Sequence, residues 1–231
     1  VLTVKENLKK VNEIIRMACE KSGRSQEDVS VIAVTKYVGI ERVQEAISCG
    51  LFDLAENRKE GLLEKQQEIH DERVTWHLIG TLQTRKVKDV VDHIDYFHAL
   101  DRLKLADEIN KRKKSGKLKC FIEMNISGEE SKHGIKENEL DDFIDALSGY
   151  EHIQTVGLMT MAPNSDDSDL IRDVFRRLRN CRNRIRDRKL DYAPCNELSM
   201  GMSHDYRIAV EEGATFVRIG TALVGNELKG S

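Results

Sequence analysis

Apolar residues recur at two different spacings along this chain, and the change from one to the other marks out its elements. Val4, Leu8, Val11, Ile15 and Ala18 fall three or four apart, and Thr3 with Glu6 makes the reciprocal cap that opens a helix, so residues 3–22 are predicted as an amphipathic helix. Short β-branched runs then alternate with helical patterns. The runs are 29–35, 52–55, 75–79, 94–98, 119–126, 153–159, 196–200 and 215–219. The longest intervening helix carries Leu170, Val174, Leu178, Cys181 and Ile185 on one face. Eight strands in regular alternation with helices predict an α/β fold closed as a single (β/α)8 TIM-type barrel, with the extra helix before it. An open doubly wound sheet shares the alternation and is the competing fold.

No segment rich in proline, glycine or serine divides the chain, and Pro163 and Pro194 both fall between predicted elements. Residues 1–231 are therefore expected to form one domain, a size such barrels commonly reach. With 39% apolar and 33% charged residues, the composition suits a globular chain rather than a disordered one. A net charge of -3 gives no electrostatic footprint for nucleic acid, so none is expected as a partner. The five cysteines are odd in number and include no C-x-x-C pair, which points to free thiols in a reducing, cytoplasmic compartment. No run approaches the roughly 18 apolar residues of a membrane span, and residues 1–10 lack the apolar core of a signal peptide, so no membrane association is expected. The histidines form no i, i+4 pair, and no metal is expected.

Lys36 ends the first apolar run, and strand alternation puts it on the face of Ile32 and Val34. If that face points inward, its amine lies at the C-terminal mouth, where barrel active sites are built. A lysine that closes the strand with its charge in solvent is the plainer alternative. A nucleophilic lysine must lose its proton, which costs about 4–5 kcal/mol at neutral pH unless desolvation or a nearby cation helps. Two further clusters follow. In Leu198 to Tyr206 the seventh strand runs into a helix with Ser203 as its N-cap, and in Thr215 to Ala222 the eighth strand ends in Gly220 and Thr221. Barrels often bind phosphate with the loops after strands seven and eight and a helix N-terminus; a simple cap and a simple turn are the plainer readings of the same residues.

Arg218 lies within an apolar strand and needs a partner, either a carboxylate or a ligand nitrogen. His77 reads as a core histidine with its hydrogen bonds satisfied, and Asn57 as a helix cap, a ligand contact or both. The arginines at 172, 176, 177, 179, 182, 184 and 186 read as a solvated helix face, with a partner-binding surface as the alternative.

Together, Val34-Thr-Lys36, Glu56-Asn57, the segment Trp76 to Gln83, Leu198 to Ser203 and Val217 to Thr221 resemble the pyridoxal-phosphate homeostasis proteins, relatives of the alanine racemase N-terminal barrel. Asn125 to Ser127, Ser131 to Gly134 and Gly157 to Met159 extend the likeness over nearly the whole chain. The resemblance implies pyridoxal phosphate held as a Schiff base on Lys36, with Asn57, Ser199, Met200, Ser203, Gly220 and Thr221 around it and Arg218 facing the pyridine nitrogen. An arginine there donates to the nitrogen and discourages its protonation, which weakens the ring as an electron sink. The chain departs from the family pattern at Leu54-Ala55, where Phe-Gly is usual, at Tyr37 to Gly39, which lacks the frequent proline, and at Arg85, which replaces an asparagine.

The implied role is a non-catalytic or barely catalytic carrier in vitamin B6 homeostasis, with apo pyridoxal-phosphate enzymes as possible recipients and a monomer or weak dimer as the working unit. An amino-acid racemase is the first rival. It needs two positioned acid/base groups, and Tyr37 is expected to point to the opposite face from Lys36; the second domain that supplies a base in alanine racemase is not expected in a chain ending soon after Gly225. The second rival is a cofactor-free aldolase using Lys36 on a sugar-phosphate carbonyl.

Overall fold

The structure, a computed structural model, describes residues 2–130 and 132–227; Ser131 of the Ser131 to Gly134 segment and the extreme ends of the 1–231 span lie outside the described residues. The Glu6 amide donates to Thr3 Oγ1 and the Thr3 amide donates to the Glu6 carboxylate at 2.8 Å, so α1 (Val4–Ser22) starts where the spacing predicts. It stops at Gly23, whose φ of 68° favours glycine.

Eight parallel strands then close in chain order: β1 (Ser30–Val34), β2 (Asp53–Glu56), β3 (Thr75–Leu78), β4 (Tyr96–Leu100), β5 (Leu118–Glu123), β6 (Ile153–Met159), β7 (Glu197–Ser199) and β8 (Phe216–Ile219). Closure comes from β8 pairing with β1, with Ser30 beside Phe216 and Ile32 beside Arg218. This is the (β/α)8 barrel, and the open-sheet alternative is set aside. The helices outside are α2 (Ile40–Ser48), α3 (Lys59–Glu68), α4 (Val87–Val90), α5 (Leu103–Arg112), α6 (Leu140–Ala146), α7 (Ser168–Arg186), α8 (Tyr206–Glu211) and α9 (Thr221–Val224). The extra α1 packs against α8, α9 and α2.

Two strands differ from the periodic reading by more than one residue at an end. β4 starts at Tyr96 rather than Ile94, because Ile94 is buried in the turn that enters the strand and contributes apolar area without pairing. β5 ends at Glu123 rather than Ile126, because Asn125 turns the chain: its side chain accepts from the Gly128 amide and donates to the Glu129 carbonyl. On α7, Val174, Leu178, Cys181 and Ile185 are buried as predicted, but Leu170 is 43% exposed; Ile171 and Phe175 complete the inner face instead. The arginines of this helix are tied within the chain: Arg172 and Arg179 pair with Glu212, Arg177 with Glu137 and Arg184 with Asp141. They favour the solvated-face reading, except at Arg182, which is buried and donates to the Asn196 carbonyl.

Phe216, Tyr96 and Phe121 pack with ring centroids 5.7–6.2 Å apart and plug the lower half of the barrel. At Gly157 a Cβ would stand 2.1 Å from the Glu197 carbonyl oxygen, so only glycine lets β6 come this close to β7.

Candidate functional site

Above the plug, at the C-terminal ends of the strands, lies a cavity of about 390 Å³. Lys36 and Tyr37 enter it from the loop after β1, Asn57 from the loop after β2, and Gly80 and Thr81 from the loop after β3. Ser203 and His204 enter after β7, and Arg218, Gly220 and Thr221 at the end of β8. Thus Lys36, Asn57, Ser203, Arg218, Gly220 and Thr221, read from sequence, are brought together on one wall system. Ser199 lies beneath the cavity and reaches it through Arg218. Met200 is wholly buried and is not on the cavity wall; Met202 is.

The end of β1 is held by a buried ion pair. Lys65 on α3 donates to a Glu56 carboxylate oxygen and to the Thr35 carbonyl at 2.7 Å, and Thr35 Oγ1 donates to the same Glu56 oxygen at 2.6 Å. Thr35 directly precedes Lys36, whose side chain is exposed to the cavity. Tyr37 does not point away as alternation predicts: β1 ends at Val34, the chain turns, and the Tyr37 ring lies 4.7 Å from Lys36 Nζ. Glu227 braces this turn by accepting from the Gly39 amide at 2.6 Å and donating its own amide to the Tyr37 carbonyl.

Two caps predicted from sequence fall elsewhere. Ser203 does not cap the helix after β7, because α8 begins three residues on and Asp205 occupies its cap position. Ser203 Oγ instead accepts from the Ala222 amide at 3.2 Å, which joins the loops after β7 and β8. Asn57 does not cap α3, since Arg58 holds that position and makes no side-chain cap bond. Asn57 is held from behind by Gly80: a Cβ there would meet the Asn57 carbonyl oxygen at 2.0 Å.

Arg218 finds neutral acceptors rather than a carboxylate in direct contact. It donates to Ser199 Oγ at 2.6 Å and to the Thr160 carbonyl at 3.1 Å. Burial lowers its pKa to about 10, and the charges of Asp205 and Glu123 work the other way, so it stays cationic at neutral pH. From Ser199 a chain of contacts crosses the barrel: to His98 Nδ1 at 2.8 Å, from His98 Nε2 to His77 Nδ1 at 2.9 Å, and from His77 Nε2 to Asp53 at 2.8 Å. His77 is thus a satisfied core histidine, as expected. Burial, with His77 and Arg218 adding to it, holds His98 well below the ordinary imidazole range.

With neutral imidazoles, one assignment gives every contact one donor and one acceptor. Ser199 donates to His98 Nδ1, His98 Nε2–H to His77 Nδ1, and His77 Nε2–H to the Asp53 carboxylate. We expect ¹⁵N NMR at pH 8 to find both rings protonated at Nε2 and bare at Nδ1. Either ring carrying its proton on Nδ1 would reverse the assignment.

Sequence reasoning missed His98, Asp53, Lys65 and Glu123. The signal that flagged Arg218, a charged residue inside an apolar strand, also marks Glu123. Its pKa is pushed up to about 7, first by burial and then by Asp101, against the opposing charges of His133 and Arg218. The five cysteines are free thiols, no described helix is long and apolar enough to cross a membrane, and the described residues gather no group of three or more metal-ligating side chains.

Comparison with known proteins agrees with the geometry. Residues 6–227 match the family described as alanine racemase, N-terminal domain. The pyridoxal phosphate homeostasis protein of Aquifex aeolicus is 39% identical over 222 residues, covering 95% of this chain and 96% of that protein. Among solved structures, an unknown protein from Bifidobacterium adolescentis aligns with a TM-score of 0.85 at 32% identity, over 95% of this chain and 94% of that one. PipY of Synechococcus elongatus, solved with pyridoxal phosphate bound, aligns with a TM-score of 0.84 at 28% identity, over 96% of this chain and all of that one, 100%.

Proposed function

Since the chain belongs to the family of pyridoxal phosphate homeostasis proteins, we propose that it binds pyridoxal phosphate on Lys36 and keeps that cofactor usable in the cell, with little or no turnover of its own. One observation carries this reading: a lysine amine and two linked hydroxyl loops share a cavity floored by a buried arginine.

The residues fit the group. Lys36 would offer the amine for its aldehyde, Ser203, Gly220 and Thr221 would hold its phosphate, Asn57 would flank the ring, and Arg218 would donate to the ring nitrogen; all of them line the one cavity. Pyridoxal phosphate, when bound, supplies an aldehyde carbon that amines can share and a ring that can draw off electrons. Arg218 limits the second property, because a guanidinium that stays charged donates to a nitrogen instead of protonating it. Ser199 and the Thr160 carbonyl hold the guanidinium directly, and His98 and His77 stand behind Ser199, so the guanidinium cannot rotate away without breaking its two bonds. Free thiols fit a reducing compartment, and we place the protein in the cytoplasm on that ground. Apo enzymes that need the cofactor are the recipients this role implies.

Two assays on the cofactor-loaded protein test the role. Added to an apo enzyme with no free cofactor present, the protein is expected to restore that enzyme's activity. Given alanine or serine, it is expected to interconvert their hands far below about 1 per second, the low end of ordinary turnover. Racemisation at that rate or faster would replace the carrier reading with the enzyme one.

A further inference from the structure

A buried carboxylate oxygen without a donor is a cost that a ligand can relieve. Glu123 is 5% exposed, lines the cavity, and has no hydrogen-bond partner at Oε2. It is the one carboxylate on the cavity wall among the described residues. In an eight-stranded barrel β5 lies opposite β1, so Glu123 faces the cavity from the side across from Lys36. Beside it stand Met159, its register partner on β6, and the partly exposed Met161 at the rim.

From this geometry we propose that Glu123 anchors a subsite for a primary ammonium group, with the alkyl part of the ligand lying against Met159 and Met161. A metal ion would need a fuller set of ligands than one carboxylate, and the described residues do not gather one. A neutral hydroxyl would satisfy the oxygen but leave its charge unmatched. A primary amine brings the charge, the N–H donor and the apolar stem together. It is also the class of molecule that competes with Lys36 for an aldehyde carbon, so the subsite would let amines, amino acids among them, meet the bound cofactor. The inference rests on the cofactor reading for its purpose, while the subsite itself belongs to the cofactor-free chain.

The charged groups that face Glu123 set how such binding varies with pH. Asp101, after β4, disfavours its ionised form, whereas His133, in the loop after β5, and Arg218, on β8, favour it. An ammonium binds the ionised form, so its affinity should rise from pH 6 to pH 8 as the carboxyl, with a pKa near 7, loses its proton.

The test is a titration of the full, cofactor-free chain with n-propylamine, followed by ¹³C NMR of the Glu123 carboxyl and by calorimetry. We expect the carboxyl midpoint to move down on saturation, binding to tighten with pH, and Glu123→Gln to weaken it by about tenfold or more. 1-Propanol should leave the midpoint in place. An unmoved midpoint with propylamine, or equal binding by wild type and Glu123→Gln, would overturn the proposal. Uptake of pyridoxal phosphate by the wild-type chain, read by visible absorbance on the same preparation, separates the two ideas: its failure removes the cofactor reading and leaves the amine result to be judged alone.

Discussion

Lys36→Ala protein, mixed with pyridoxal phosphate, is expected to give no visible absorption band and to retain no cofactor after borohydride, whereas the wild-type chain is expected to give both. The expected loss of the covalent adduct is complete. The loops carrying Ser203, Gly220 and Thr221 remain, so weak reversible binding should persist, reduced by about 100-fold or more, or roughly 3 kcal/mol. The folding stability should hardly change, because the Lys36 side chain is exposed and lies beyond the end of β1. A thermal melt within a few degrees of wild type would therefore tie the lost band to chemistry. A Lys36→Ala protein that still forms the band, with the adduct mapped to another lysine, would end the assignment.

The second large effect is on stability. Lys65→Met removes the cation that neutralises Glu56 and leaves that carboxylate buried beside the Thr35 hydroxyl. Breaking a buried pair in this way costs about 3–5 kcal/mol. Urea unfolding at pH 8 should show the deficit. Adding Glu56→Leu to Lys65→Met should recover most of the loss, since apolar replacement of a buried pair is often neutral or better. A deficit below about 1 kcal/mol at pH 8 would mean the pair carries little of the fold. Because the pair grips Thr35, cofactor capture by the single variant should drop as well.

The barrel and the amine at its mouth were legible in the sequence for a physical reason. Parallel strands buried on both faces leave unbroken β-branched runs, so a lysine or arginine among them, such as Lys36 or Arg218, stands out. What stayed hidden depends on closure. His77, His98 and Ser199 sit on three different strands, none of them the strand of Arg218, and each of these three taken singly reads as an ordinary core or turn residue. Their line of hydrogen bonds exists only once β8 has met β1. Asp53 and Lys65 were missed in the same way, each paired to another element. The misplaced caps have a more local cause: Ser203 precedes a helical pattern, but its hydroxyl is drawn to the amide of Ala222 in a loop that sequence cannot place beside it. Leu170 failed because a 3.6-residue period fixes a stripe only to within a turn, and Asp167 caps α7 so that Ile171 takes the inner position.

The seam between the first and last strands also governs when, during synthesis, the protein can begin to work. A ribosome delivers Lys36 early and Gly220 late, with Ser30 and Phe216 as the residues that must find each other across almost the entire polypeptide. A nascent chain that has not yet emitted its final strand holds Lys36 but neither Gly220 nor Thr221, so its half of the mouth stands alone. On the proposed assignment, a truncated fragment lacking Phe216 to Thr221 is expected to take up no cofactor in this pocket.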